Sequence, residues 1–340
     1  MQLDCALTTD RREMKTKYFS VSELDQASQL LRSAELVAFP TETVYGLGAN
    51  AMDAAAVQKI FVAKGRPSDN PLILHIADRN QVSLIARDVP VIAEQLMTRF
   101  WPGPLTIVIP KRPEVPDVVT AGLDTVAVRL PNHPIALELL RHTGVPLAAP
   151  SANRSGRPSA TTWQAVAEDL DSRIAGLVCG EPTSLGLEST VVDANSHPPR
   201  VLRPGGVSLE QLQEICPSIV PYARHSLTQG KSAVNSPGLK YKHYQPSAIV
   251  LVVSAVTAGS ELESIVPSSS VAYYIGIKQP ANPSRFRCIL VCSNASDYAA
   301  KLFDYFRKAD LSAADVVCCE EVKEVGIGVA LLDRLRRASQ

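Results

Sequence analysis

Lys64-Gly-Arg-Pro-Ser-Asp-Asn-Pro-Leu-Ile-Leu-His75 is the stretch on which the reading of this chain turns. Two cations, an amide and an imidazole fall within it, and Gly65, Pro67 and Pro71 separate them. Before it, residues 54–63 have helix-forming composition, with Val57, Ile60 and Phe61 on one face. After it, 71–76 is a mostly apolar run of strand length. Helix, short stiff loop and apolar strand form the repeating unit of an α/β sheet. A loop with fixed cations at that junction is a natural place to hold an anion.

The same alternation continues in both directions. Ser20 or Ser22 caps a predicted helix over 20–32, with Ala27, Leu30 and Leu31 as its apolar stripe. A strand over 35–39 runs into Thr41-Glu-Thr-Val-Tyr-Gly-Leu-Gly-Ala49, a hydroxyl-rich segment with two glycines. Short helices are expected over 82–86 and 91–100. Trp101-Pro-Gly-Pro104 then makes a rigid turn into a strand over 105–109. Residues 124–130 alternate as a half-exposed strand, which puts Thr125 and Arg129 on one face. A helix over 134–142 and a small-residue strand over 146–149 lead into a long polar loop over 150–162. A helix over 163–170 and short strands near 177–179, 189–193 and 199–202 follow. Ser208 and Gln211 form a capping box on a helix over 208–215.

From 217 to 246 the composition shifts to proline, serine, glycine and lysine without periodicity, as in a linker. Strands near 248–256, 271–275, 288–291 and 315–320 then alternate with helices over 296–309 and 327–338. That order predicts a small α/β domain with a parallel sheet. The expected organisation is a leader (1–17), a first α/β domain (18–216), a linker (217–246) and a second domain (247–340).

Composition narrows the function. Lys plus Arg and Asp plus Glu both number 34, so net charge gives no argument for bulk binding to nucleic acid or membranes. Aromatics are 5%, few for a platform that stacks single strands. The seven cysteines are odd in number and show no C-x-x-C spacing, which fits reduced thiols in a cytoplasmic protein. No signal-peptide core and no membrane-length apolar run is present. Neither a P-loop, a dinucleotide fingerprint, an H-E-x-x-H motif nor a G-x-S-x-G elbow occurs.

What remains is a set of polar residues at strand and helix ends. They are Thr41, Thr43 and Tyr45; Lys64, Arg66 and Asn70; Thr125 and Arg129; Ser151, Asn153 and Ser159; Ser189 and Arg203. Cations with small hydroxyls suit a phosphate and a small amphoteric ligand. Each also has a plainer reading. Lys64 and Arg66 can complement a helix dipole, His75 can be a core histidine, and Arg129 can be a surface strand residue. Ser151 and Asn153 can be turn residues.

Several segments taken together resemble one family. Pro40-Thr-Glu-Thr-Val-Tyr-Gly-Leu47, the stretch 64–75, Pro150-Ser-Ala-Asn153, Leu187-Glu-Ser-Thr-Val-Val-Asp193 and Leu202-Arg-Pro-Gly205 resemble, in order, the YrdC-like domain of L-threonylcarbamoyladenylate synthases. Ser236-Pro-Gly-Leu-Lys-Tyr-Lys-His-Tyr-Gln-Pro246 is similar to the linker of the long, two-domain branch, with Leu239 where Met is usual. Gly326-Ile-Gly-Val-Ala330 and Asp333-Arg-Leu335 match the second domain more loosely, with Ile327 and Asp333 departing from the usual Leu and Asn.

The resemblance implies an open, twisted α/β domain around a basic concavity, followed by a small Rossmann-like α/β domain. It implies a nucleotidyltransferase that joins L-threonine, bicarbonate or CO2 and ATP into threonylcarbamoyl-AMP, releasing pyrophosphate, with Mg2+ accompanying ATP. Lys64 and Arg66 would hold the triphosphate. Arg66, Asn70, Thr125, Ser151, Ser159, Arg203 and Tyr241 would contact the nucleotide. Thr43, His75, Arg129, Ala149 and Ser189 would contact threonine, and Tyr241, Lys242 and Tyr244 would close as a lid. The product would pass to the machinery that modifies tRNA, without strong direct tRNA binding. Two other classes stay open: an RNA-binding module, and a carbamoyl transferase, which would carry acylphosphatase and zinc-finger regions not seen here.

Overall fold

In the computed structural model, residues 15–223, 244–253 and 267–340 are described. The strands are β1 (Lys17–Phe19), β2 (Val37–Phe39), β3 (Gly46–Asn50), β4 (Ile73–His75), β5 (Leu105–Pro110), β6 (Thr125–Arg129), β7 (Leu147–Ala148), β8 (Gly176–Val178), β9 (Thr190–Asp193) and β10 (Arg200–Arg203). They form one mixed sheet in the order β1-β8-β2-β3-β7-β4-β6-β5-β9-β10. The helices of this part are α1 (Leu24–Arg32), α2 (Ala54–Lys64), α3 (Val82–Ile85), α4 (Val91–Phe100), α5 (Asp117–Thr120), α6 (Pro134–Thr143), α7 (Trp163–Leu170) and α8 (Leu209–Ile215).

The opening stretch is built as its sequence suggests. The Asp53 carboxylate caps α2 by accepting from the Ala55 and Ala56 amides. Gly65 ends the helix in the left-handed region, at φ 61°. The chain then crosses the top of the sheet and enters β4, whose three residues are all buried. β4 lies between β7, antiparallel to it, and β6, parallel to it. In that register His75 pairs with Arg129, so two polar side chains from distant segments sit side by side on one face.

The sequence pattern assigns no element to residues 46–50. They form β3, which pairs with β2 and β7. The absence of side chains at Gly46 and Gly48 lets the Phe39 ring pack against the strand; a Cβ at Gly48 would approach that ring to 2.9 Å. Such a strand has neither the alternation nor the apolar run that marks a strand in sequence.

The second unit contains β11 (Ile249–Val253), β12 (Ala272–Gly276), β13 (Cys288–Val291) and β14 (Val316–Glu320), with α9 (Ala295–Leu311) and α10 (Ile327–Ala338). Its sheet is parallel throughout, in the order β11-β14-β12-β13. Its apolar core continues onto Val44 and Leu187 of the first unit, with Tyr244 in the same cluster. Gly186, at φ 74°, makes this contact close: a Cβ there would lie 2.4 Å from the Ala300 Cα in α9. Buried ion pairs flank the contact. Arg307 of α9 meets Asp169 at 2.7 Å, and Arg334 of α10 meets Glu188 at 2.8 Å. No helix among the described residues is long and apolar enough to cross a membrane.

Candidate functional site

A recess of about 680 Å³, counting its open mouth, is lined by residues of β3, β4, β6 and β10 and of the loops after β2, α2, β7 and β8. Four arginines (Arg66, Arg129, Arg157 and Arg203) and one glutamate (Glu188) line it. The surplus of fixed positive charge suits a polyanion.

Thr43, His75, Arg129, Ala149 and Ser189 all line this recess. Arg129 is 3% exposed and sits on an interior strand, so it is no surface residue. Its guanidinium is aimed by three partners. Nε donates to the Gly103 carbonyl at 3.2 Å, Nη1 donates to Thr43 Oγ1 at 2.8 Å, and Nη2 lies 2.7 Å from Glu42 Oε1. Burial pushes the Glu42 carboxyl up, but Arg129 and the Asn132 amide outweigh it and hold it below its usual value. His75 is 4% exposed and its Nδ1 has no partner. Burial, then the neighbouring Arg129, lowers its pKa to about 3, so the ring is neutral at pH 7. Ser189 Oγ pairs with Thr106 Oγ1 at 2.8 Å and accepts from Arg203 Nη2 at 3.2 Å.

Arg66, Ser151, Ser159 and Arg203 also line the recess. Arg66 donates to the Pro71 carbonyl at 3.2 Å, which ties it across the loop. Asn70, in that same loop, is buried and, unlike the expected nucleotide contact, is not among the residues that line the recess. Thr125 does not share the main recess. It lines a small neighbouring hollow with Pro71, Leu72 and Ala127. Four residue steps take the strand from Thr125 to Arg129, about 13 Å along β6; one face of a strand is long enough to serve two hollows.

Lys64 also differs from the expected placement. It is 4% exposed, and its Nζ donates to the carbonyls of Ser151 and Asn153 rather than lining the recess. Its own carbonyl accepts from the Ser155 amide. Burial, then Arg66, drives its pKa well below the usual lysine value. Lys64 therefore pins the polar loop that carries Ser151. Tyr241 and Lys242 lie outside the described residues. Tyr244, the third lid candidate, lines the recess with its ring stacked on Phe303 at 5.2 Å.

Three site residues were not singled out from sequence. Glu42 lies between two threonines of a quoted motif, and Glu188 directly precedes Ser189. Arg157 follows Gly156 in the polar loop and bonds Asp169 and Glu168. A carboxylate set directly beside small hydroxyl residues (Thr41 and Thr43 for Glu42, Ser189 for Glu188) was the available signal for both glutamates.

A family model described as "Telomere recombination" (Sua5_yciO_yrdC) matches residues 29–205, and the "Threonylcarbamoyl-AMP synthase, C-terminal domain" model matches 207–340. The threonylcarbamoyl-AMP synthase of Pyrococcus abyssi is 45% identical, over 92% of this chain and 93% of its own. The chain belongs to the threonylcarbamoyl-AMP synthase family. The Bacillus subtilis member is 42% identical over 96% of this chain and 98% of its own. The structure of P. abyssi Sua5 complexed with L-threonine is 41% identical, with a TM-score of 0.89, covering 95% of this chain and 97% of that one. The fold described above is therefore similar to that of the solved relative over nearly the whole chain.

Proposed function

We propose that this protein joins L-threonine, bicarbonate or CO2 and ATP into threonylcarbamoyl-AMP, acting as a nucleotidyltransferase. The observation that carries the reading is the pairing of His75 with Arg129 in the wall of a recess that Arg66, Arg157 and Arg203 also line. It is supported by a 41% identical relative whose structure holds L-threonine.

The Arg129 end receives threonine. Its carboxylate meets the guanidinium that Thr43 and Glu42 hold in place. The unpartnered Nδ1 of His75 accepts from a ligand donor such as the threonine hydroxyl. Ala149 and Ser189 complete this wall. A histidine with a pKa of about 3 is too weak a base to deprotonate the ammonium. The amine proton therefore leaves to bicarbonate or water, and the free amine adds to CO2 to give a carbamate. A carbamate oxygen then attacks the α-phosphorus of ATP, and pyrophosphate leaves.

That transfer needs spread positive charge more than a side-chain nucleophile. Arg66, Arg157 and Arg203 supply it, and Ser151 and Ser159 orient the nucleotide. Tyr244, buried against the second domain, shields the mixed anhydride from water. Mg2+ would enter as the counter-ion of ATP. Among the described residues no group of three His, Cys, Asp or Glu side chains gathers to cage a metal, and Glu42 and Glu188 are committed to arginines. The product feeds the tRNA threonylcarbamoyl-transfer machinery in the cytoplasm. Pyrophosphate release that requires both threonine and bicarbonate tests this reading; release indifferent to threonine refutes it.

A further inference from the structure

Among the described residues no side chain of the second domain lines the recess, yet α10 holds residues of its wall through Arg334. Arg334 is fully buried. Its Nε donates to Glu188 Oε2 at 2.8 Å, and its Nη2 donates to the Pro204 carbonyl at 3.0 Å. Its guanidinium carbon lies 5.3 Å from the centre of the Tyr244 ring. Asp333 pairs with Nη1 at 2.7 Å and with Arg337 at 3.0 Å, and Arg337 donates to the Tyr222 hydroxyl. One guanidinium thus holds two residues of the recess wall, Glu188 before Ser189 and Tyr244, together with the Pro204 carbonyl just after Arg203.

Glu188 makes that contact consequential. It lines the recess, is 7% exposed, and its other oxygen accepts from Ser159 Oγ at 2.6 Å. A buried carboxylate in the wall of a polyanion site repels the ligand unless a cation cancels it. We infer that Arg334 is a positioning residue which neutralises Glu188 and fixes Ser159 and Tyr244, so that the nucleotide end of the recess is complete only when the second domain is docked. This rests on the nucleotide reading of that end. It also gives the second domain a definite part in the reaction without a catalytic group of its own.

The sign of the local charges agrees. Burial pushes the Glu188 carboxyl up, but Arg334 first and Arg203 next pull it below the usual value. Burial opposes the charge on Arg334, yet the Glu188 and Asp333 carboxylates it pairs with offset that cost. Without Arg334, Arg203 alone would face both Glu188 and an incoming phosphate.

The test is calorimetric binding of a non-hydrolysable ATP analogue, and separately of L-threonine, to the full chain and to R334M, E188Q, R334M/E188Q and R334K. R334M is expected to weaken the analogue at least tenfold while threonine affinity changes less than threefold. R334M/E188Q is expected to recover most of that loss, because removing the orphaned carboxylate removes the repulsion. Such rescue is not expected of a merely structural arginine. R334K keeps a cation beside Glu188 and is expected to bind the analogue better than R334M. If R334M does not fold, R334K and the double variant carry the comparison with wild type. Equal binding by R334M and wild type, or no recovery in the double variant, overturns the inference. Failure of wild type to bind the analogue overturns the nucleotide reading itself.

Discussion

Replacing Lys64 with alanine removes the ammonium that joins the end of α2 to the 150–153 loop. Two buried carbonyls, of Ser151 and Asn153, lose their donor. A buried carbonyl left without a partner costs roughly 1–3 kcal/mol. Water can enter the space a lysine leaves, which favours the lower end, about 2 kcal/mol for the two. The charge itself is disfavoured where it lies, since burial and Arg66 depress its pKa, and its removal offsets part of that loss. At about 2–4 °C per kcal/mol for a unit of this size, the melting temperature should fall by about 4 °C. Activity should suffer far more. Ser151 lines the recess, and a shift of about 1 Å in a positioning element is enough for a loss of about 100-fold. The expected result is a folded variant whose kcat/KM for ATP drops about 100-fold. Steady-state pyrophosphate release and a thermal melt on the same sample read both quantities. A folded variant within threefold of wild type would refute the assignment of Lys64 as the pin of that loop.

Thr43→Val removes the hydroxyl that accepts from Arg129 Nη1, so the KM for threonine should rise about tenfold, about 1.4 kcal/mol, with the KM for ATP nearly unchanged. The depressed pKa of His75 makes stability pH-dependent: the unfolded chain takes up a proton below about pH 6.5 that the folded protein refuses until about pH 3. That stability is fully present above pH 6.5 and is lost as pH falls toward 3. Wild type should therefore lose about 1.4 kcal/mol per pH unit relative to His75→Asn between pH 6 and 4 in paired denaturant titrations; parallel curves would show that the ring titrates normally. Asp169 is 3% exposed and accepts from both Arg157 and Arg307, so Asp169→Asn should destabilise by about 3–5 kcal/mol in the same titrations.

Residues 64–75 announced a helix, a turn and a strand because helix period, glycine, prolines and an apolar run all agree there. The parallel second sheet was legible for the same reason, since strand and helix alternate without interruption. β3 was not legible, because its glycines fit a neighbouring ring and leave no pattern of their own. The pairing of His75 with Arg129 depends on strand order, which no local pattern encodes. Lys64 was visible as a cation, but whether its ammonium faces a ligand or two carbonyls is decided by a loop far along the chain. Arg334 shows the same limit from the other side: an arginine on the last helix has no sequence signal tying it to Glu188. Thr125 shows that sharing a strand face with Arg129 does not mean sharing a cavity.

The central claim is that one recess brings threonine, a one-carbon unit from bicarbonate, and ATP together. Labelled bicarbonate supplied with ATP and threonine tests it most directly. The account predicts that label appears in a threonine-containing adenylate, one per pyrophosphate released, and that none appears when threonine is omitted. Pyrophosphate release without retention of label, or label retained in the absence of threonine, would contradict it.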